Sequence, residues 1–124
     1  PQLVACDASS FRTFVSESRA EIGIPKSGYV ESRSGWFSDR SACYLASGRP
    51  VIAASTGFEP YLPTGECLLS FQGVDEAAEC IAAVNADYAA QSAAARRIAE
   101  EHLDSDRVLP RMLEAIGCAA AVQC

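Results

Sequence analysis

Histidine, methionine and tryptophan occur once each in this 124-residue chain, and no two cysteines are spaced as CxxC. An apolar run of roughly eighteen residues, the length a helix needs to cross a bilayer, is also missing. The first scarcity argues against a metal centre. His102 stands alone on a helical pattern with no cysteine at ligand spacing, whereas zinc sites gather several His and Cys. The second predicts that nothing spans a membrane. No basic-then-apolar leader is visible, so no secretory signal is expected and the expected location is cytoplasmic. The chain opens on Pro1 instead of Met, as a processed product or a piece of a longer protein would.

Cysteine itself is plentiful: Cys6, Cys43, Cys67, Cys80, Cys118 and Cys124. Their scatter suits small buried thiols in a reducing compartment better than a disulfide framework, and it disfavours a thiol-redox protein. With 49% hydrophobic and 21% charged residues, the composition is that of a soluble globular chain. Its length allows one domain, residues 1–124, with a modest core.

Along the chain, Ser9-Ser10 offers a helix cap. Phe11, Phe14, Val15, Ser18 and Ile22 then share one helical face, with Gly23 as the stop. Ile24 to Gly28 reads as a turn leading through Tyr29-Val30 into a glycine loop. A short helix from Ser38 to Ser47 ends at Gly48, and Arg49-Pro50 opens the apolar strand Val51-Ile52-Ala53-Ala54. Loop chemistry follows from Thr56 to Gly65, then a second strand, Cys67 to Phe71. A third strand is expected near Leu3-Val4-Ala5 or Tyr29-Val30. From Val74 onward the pattern is helical. Val74, Ala77, Ile81, Val84 and Tyr88 form one stripe, a second helix runs from Ala89 to Leu103, and a last one from Leu109 to Ile116 puts Pro110 in its first turn. This order predicts an α/β domain: a small parallel sheet with helices, partial Rossmann-like, with a helical C-terminal half.

Charge is uneven. Residues 26–49 hold four basic side chains (Lys26, Arg33, Arg40, Arg49) against Glu31 and Asp39, in a chain of net charge −6. A positive island in an acidic protein points to a local anionic ligand and away from nucleic acid. The loop Arg33-Ser34-Gly35-Trp36-Phe37-Ser38 sits at its centre, just before the helix that starts with Asp39-Arg40. The first turn of a helix offers unbonded N–H groups and a partial positive charge. Gly35 lets the backbone approach a ligand, Arg33 and Arg40 suit phosphate oxygens, and Trp36 and Phe37 offer flat apolar surface. The plainer alternative is that Ser38 only caps the helix, Asp39 complements its dipole, Arg33 pairs with Glu31 or Asp39, and Trp36 is core.

The string from Gly35 through Ser38 to Gly48-Arg49-Pro50-Val51-Ile52 resembles the donor-binding region of GT-B glycosyltransferases. Family-1 enzymes carry H-C-G-W-N-S there; Arg33 stands in the place of that histidine, and the gap to the glycine–proline pair is two residues longer. Ser55-Thr56-Gly57-Phe58 and Gly65-Glu66-Cys67-Leu68-Leu69 resemble the loop and the G-x-G-L-L segment of family-4 enzymes. That family's two glutamates would fall at Gly35 and Cys43, so its acidic pair is missing. Residues 35–51 are similar to a G-W-F-S-D-R-S-A-C-Y-L-A-x-G-R-P-V string in a bacterial GT-B-like group, and this likeness extends over Ser16 to Ala115.

The resemblance implies part of a C-terminal, nucleotide-sugar-binding domain without its acceptor domain. Arg33, Ser34, Gly35, Trp36, Phe37, Ser38, Asp39 and Arg40 would meet the donor diphosphate, and Thr56, Gly57 and Phe58 the sugar. Glu59 and Asp39 are further contacts to weigh for sugar hydroxyls, and Lys26 for phosphate. Tyr61 and Tyr88 are assigned to packing. It implies no cofactor beyond the nucleotide-sugar as substrate, no bound metal and no catalytic base in this chain, so turnover by it alone is not expected. The alternative is a stand-alone binding or interaction domain, covering its sheet edge as a homodimer.

Overall fold

Asp7 starts the first helix: its carboxylate accepts from the Ser10 amide at 2.8 Å and caps α1, Ala8–Glu17. The computed structural model describes residue 4 and residues 6–117, and the statements below concern those residues. The Ser18 amide and hydroxyl both bond back to the Phe14 carbonyl, which ends α1. Beyond it lies β1, Glu21–Gly23, paired parallel with β2, Val51–Ala54. The expected helix running to Ile22 with Gly23 as its stop is therefore wrong. Three residues are too few to express a strand's alternation, and Ile22 continued the helical stripe by coincidence of spacing. The third strand is β1 itself. Tyr29-Val30 falls in the short helix α2, Ser27–Glu31; Leu3 and Ala5 lie outside the described residues, and Val4 is in a turn.

Helix α3, Asp39–Ala46, forms where the sequence places it, capped by the Ser38 hydroxyl. Gly48 (φ 67°) closes it with Gly48 N–H donating to Leu45 and Arg49 N–H to Tyr44. β2 pairs parallel with β3, Leu68–Phe71, giving a three-stranded parallel sheet in the order β1-β2-β3. The chain is thus α/β, and β1, α3 and β2 make one β-α-β crossover.

Alternation along β2 sorts the core. Val51 and Ala53 pack with Tyr44 and Leu45 of α3 and with Ala94, Ala95, Ile98 and Ala99 of α5, Tyr88–His102. Ile52 faces the other way, beside Ile81 and Val84 of α4, Val74–Ala86. Helices therefore cover β2 on both faces, as parallel sheets require. β1 has no such cover on the α4 side, and its Ile22 is 50% exposed.

The expected α4 stripe is core only toward its end: Val74 is exposed, Val84 is buried and Tyr88 opens α5. Helix α6, Ser105–Ala115, starts earlier than expected because Asp104 caps it through the Asp106 amide. Pro110 consequently lies inside the helix, where it removes one backbone bond. Leu109 and Met112 of α6, and Ile116 just after it, are exposed. Tyr88 does more than pack. Its hydroxyl donates to the Arg19 carbonyl at 2.6 Å and accepts from Arg49 at 3.0 Å, and the Arg19 guanidinium lies over its ring. Among the described residues no helix is long and apolar enough to cross a membrane.

Among the described cysteines, all expected to be buried, only Cys67 is; Cys80 is half-buried, and Cys6 and Cys43 are exposed. Cys118 and Cys124 lie outside the described residues. Burial pushes the Cys67 thiol up from 9.0 to about 11. The unfolded chain releases that proton first, so the stability this thiol contributes is intact below pH 9.0 and is lost as pH rises toward 11. Melting temperature should fall over that window, and less steeply in Cys67→Ala. At neutral pH a thiol reagent should label Cys43 in the native protein and spare Cys67.

Candidate functional site

Two strand ends and one helix start converge on a single cleft. β1 leads into Ile24-Pro25, β2 ends at Ala53-Ala54, and α3 begins at Ser38; the cleft is lined by residues from all three, with Trp36, Phe37 and Phe58 along its side. Crevices at the carboxyl ends of parallel strands, facing a helix N-terminus, are where open α/β sheets bind ligands.

The loop before α3 is held by its neighbour after β2. Gly35 N–H donates to the Thr56 carbonyl at 2.8 Å, and the Thr56 hydroxyl donates to the Trp36 carbonyl at 2.6 Å. Gly57, at φ 87°, lies so close that a Cβ there would sit 3.0 Å from the Arg33 carbonyl oxygen. Arg33 itself is left-handed (φ 46°), and Gly35 (φ 73°) turns the chain again. The Ser34 hydroxyl accepts from the Trp36 amide. The two segments singled out from sequence, 33–38 and 56–58, are therefore one rigid double loop, although 20 residues separate Thr56 from Trp36.

Not every candidate side chain is turned toward a ligand. Thr56 and Phe58 are buried: the threonine hydroxyl holds the Trp36 carbonyl, and the Phe58 ring packs on Phe37 with centroids 5.4 Å apart. Their work is to build the loop. Ser38 is buried as a cap, and its hydroxyl accepts from Arg40 N–H at 3.2 Å. Asp39 folds its carboxylate back onto the same amide at 2.8 Å. Trp36, for which core was the plain alternative, is 38% exposed on the cleft wall, stacked on Tyr29 with centroids 5.0 Å and planes 10° apart. Tyr61, assigned to packing, is 76% exposed, its ring beside Gly35. Lys26 caps α2 through its backbone and is exposed. His102 closes the last turn of α5.

The two arginines differ. Arg40, which lines the cleft, donates its Nε to the Glu21 carboxylate at 2.5 Å. Glu21 is only 5% exposed, and its second oxygen, Oε2, is buried without a partner. The hydrogen bond to Glu21 raises the Arg40 pKa against the opposing effect of burial, which keeps the guanidinium charged. Arg33 is exposed and near Glu59. Burial works to raise the Glu59 carboxyl, but hydrogen bonds from Ser55, its own backbone and Ser70, together with the Arg33 charge, hold it below its ordinary value. Sequence reasoning missed Glu21, Ile24, Pro25 and Ser41. Glu21 was hidden by the helical reading of its segment, and Ile24 and Pro25, which follow β1, read only as a turn.

Among the described residues no cluster of three His, Cys, Asp or Glu side chains could hold a metal ion. The chain matches no family model, no curated protein and no solved structure.

Proposed function

We propose that this chain is the nucleotide-sugar-binding portion of a glycosyltransferase-like protein, its fold a partial Rossmann-like domain of GT-B type. What supports the reading best is the convergence of the double loop, the ends of β1 and β2, and the start of α3 on one cleft. The diphosphate lies at the start of α3, where amides and the helix dipole favour negative charge, with Arg33 as the exposed cation and Arg40 as the one anchored to Glu21. No catalytic base is assigned within the chain. Departure of a nucleoside diphosphate would be favoured there by helix-end amides and arginine charge.

Trp36 is the chain's single tryptophan and lines the cleft, so ligand binding reports directly in its fluorescence. Titrating UDP, GDP, ADP and their sugar conjugates should quench or shift Trp36 emission saturably with at least one of them. Arg33→Gln should weaken that ligand roughly tenfold, the loss of one charge-assisted contact. An unchanged spectrum across the panel rejects the reading.

A second reading, a stand-alone interaction domain, is favoured by the uncovered Ile22 on edge strand β1 and by the exposed Leu109 and Met112 of α6 with Ile116 just after it. Sedimentation equilibrium separates it: a homodimer that Ile22→Lys dissociates supports it, and a strict monomer counts against it.

A further inference from the structure

Glu21 is a buried carboxylate at a position where an apolar side chain would hold β1 to α3 as well. The burial pattern of β1 puts Glu21 and Gly23 on the covered side of the strand and Ile22 on the other. The strand is pinned at this point, because the Glu21 amide donates to the Pro50 carbonyl at 3.0 Å. The carboxylate therefore comes from a rigid element. Its pairing is nevertheless incomplete. Arg40 Nε donates to Oε1, while Oε2 is buried with no partner, although a guanidinium fork can bond both oxygens of a carboxylate. As a device for stability the pair is a poor one.

What the pair leaves free is the other end of the guanidinium. The Arg40 side chain lines the cleft and is 52% exposed, and among the described residues its two terminal nitrogens have no hydrogen-bond partner. A loose arginine gives up much rotamer freedom when it fixes on a ligand. One already braced at Nε, between a strand and a helix, has given up most of it beforehand. We infer that Glu21 is a positioning residue: its bond to Nε holds Arg40 so that both terminal nitrogens meet two oxygens of one phosphate at the open side of the cleft. This rests on the reading of that site as the diphosphate site. The contact needs no enclosed space. Glu21 has two opposing effects on such a ligand. Its charge repels the anion, and its hydrogen bond orders the cation that receives it. Gln at this position keeps the acceptor without the charge, and Met keeps neither.

Isothermal titration calorimetry of the full chain with inorganic pyrophosphate, on Glu21→Gln and Glu21→Met beside wild type, separates the two effects. Both variants lack the charge and differ in the acceptor, so the difference between them isolates positioning. Glu21→Met should bind pyrophosphate roughly tenfold more weakly than Glu21→Gln, the scale of one charge-assisted contact no longer held in place. In an Arg40→Lys background, which has no Nε, that difference should vanish. Circular dichroism melts check that each protein is folded at the temperature of titration. NMR of wild type gives a reading that needs no variant: the Arg40 Nε–H should stay protected from exchange with water when pyrophosphate binds. Equal affinities for Glu21→Gln and Glu21→Met overturn the positioning role and leave the phosphate reading standing. A difference that persists in Arg40→Lys, or an Nε–H that loses its protection on binding, does the same. Wild type that binds no pyrophosphate rejects the phosphate site and the role built on it.

Discussion

Arg40→Ala should lower folding stability by about 2–3 kcal/mol, seen as a fall in melting temperature of roughly 10 °C. Its partner is the reason. Glu21 is 5% exposed, and the Arg40 Nε donates to its carboxylate at 2.5 Å, while its other oxygen has no partner. Removing the guanidinium leaves a buried carboxylate uncompensated, which costs several kcal/mol for a fully buried pair. The figure is smaller here because the Arg40 side chain is 52% exposed, so water screens part of the charge. The double variant Glu21→Met/Arg40→Ala should recover most of the loss, since an apolar side chain of similar volume needs no counter-charge. Equal melting temperatures for wild type and Arg40→Ala would contradict the assignment. The same contact decides how binding is probed. Loss of ligand binding in Arg40→Ala mixes an effect on the fold with an effect on the anion, whereas Arg33 is exposed and its truncation leaves the core intact.

Gly57→Ala should cost about 2–3 kcal/mol, against about 1 kcal/mol for Gly65→Ala. Both glycines have positive φ, 87° and 113°, which a side chain adopts at a cost. They differ in what a methyl group would meet. At Gly65 there is nothing within 4 Å; at Gly57 the new Cβ would lie 3.0 Å from the Arg33 carbonyl oxygen and 3.4 Å from the Arg33 carbonyl carbon. Both atoms are backbone, so relief requires the two loops to part. The Gly35 to Thr56 hydrogen bond, at 2.8 Å, is the first contact such a shift would stretch. Gly57→Ala should therefore also weaken any ligand of the cleft, while Gly65→Ala should not. Chemical denaturation of the two variants gives the stability difference. Identical values would mean that the loops do not depend on that close approach.

Much of the scaffold is legible in the residue pattern, for local reasons. Ser38 before Asp39-Arg40 and Gly48 before Arg49-Pro50 mark both ends of α3 with cap chemistry, and β2 and β3 are short apolar runs between turn residues. What escapes is decided by tertiary pairing. Glu21–Gly23 becomes a strand because β2 offers it a parallel partner, and three residues cannot advertise that choice. Pro110 sits inside α6 because Asp104 starts the helix early, a preference for the cap that outweighs one lost backbone bond. At the cleft, the sequence identifies the loop but not its division of labour. Thr56 and Phe58 read as ligand contacts, yet they face inward and hold the loop. Tyr29 reads as a lead into the glycine loop or part of a strand, and Tyr61 as packing, yet they flank Trp36 and Gly35 at the surface. The Glu21–Arg40 pair joins residues 19 positions apart, with a helix and a loop between them.

The central claim is that a phosphorylated ligand binds where the double loop meets the start of α3. Amide-resolved NMR titration of the full chain with a nucleoside diphosphate tests it most directly. The account predicts saturable shifts concentrated on Gly35 to Ser41 and Thr56 to Phe58, with the Trp36 indole N–H among them and α6 unmoved. Absence of shifts with every nucleoside diphosphate, or shifts confined to residues away from this cleft, would contradict it.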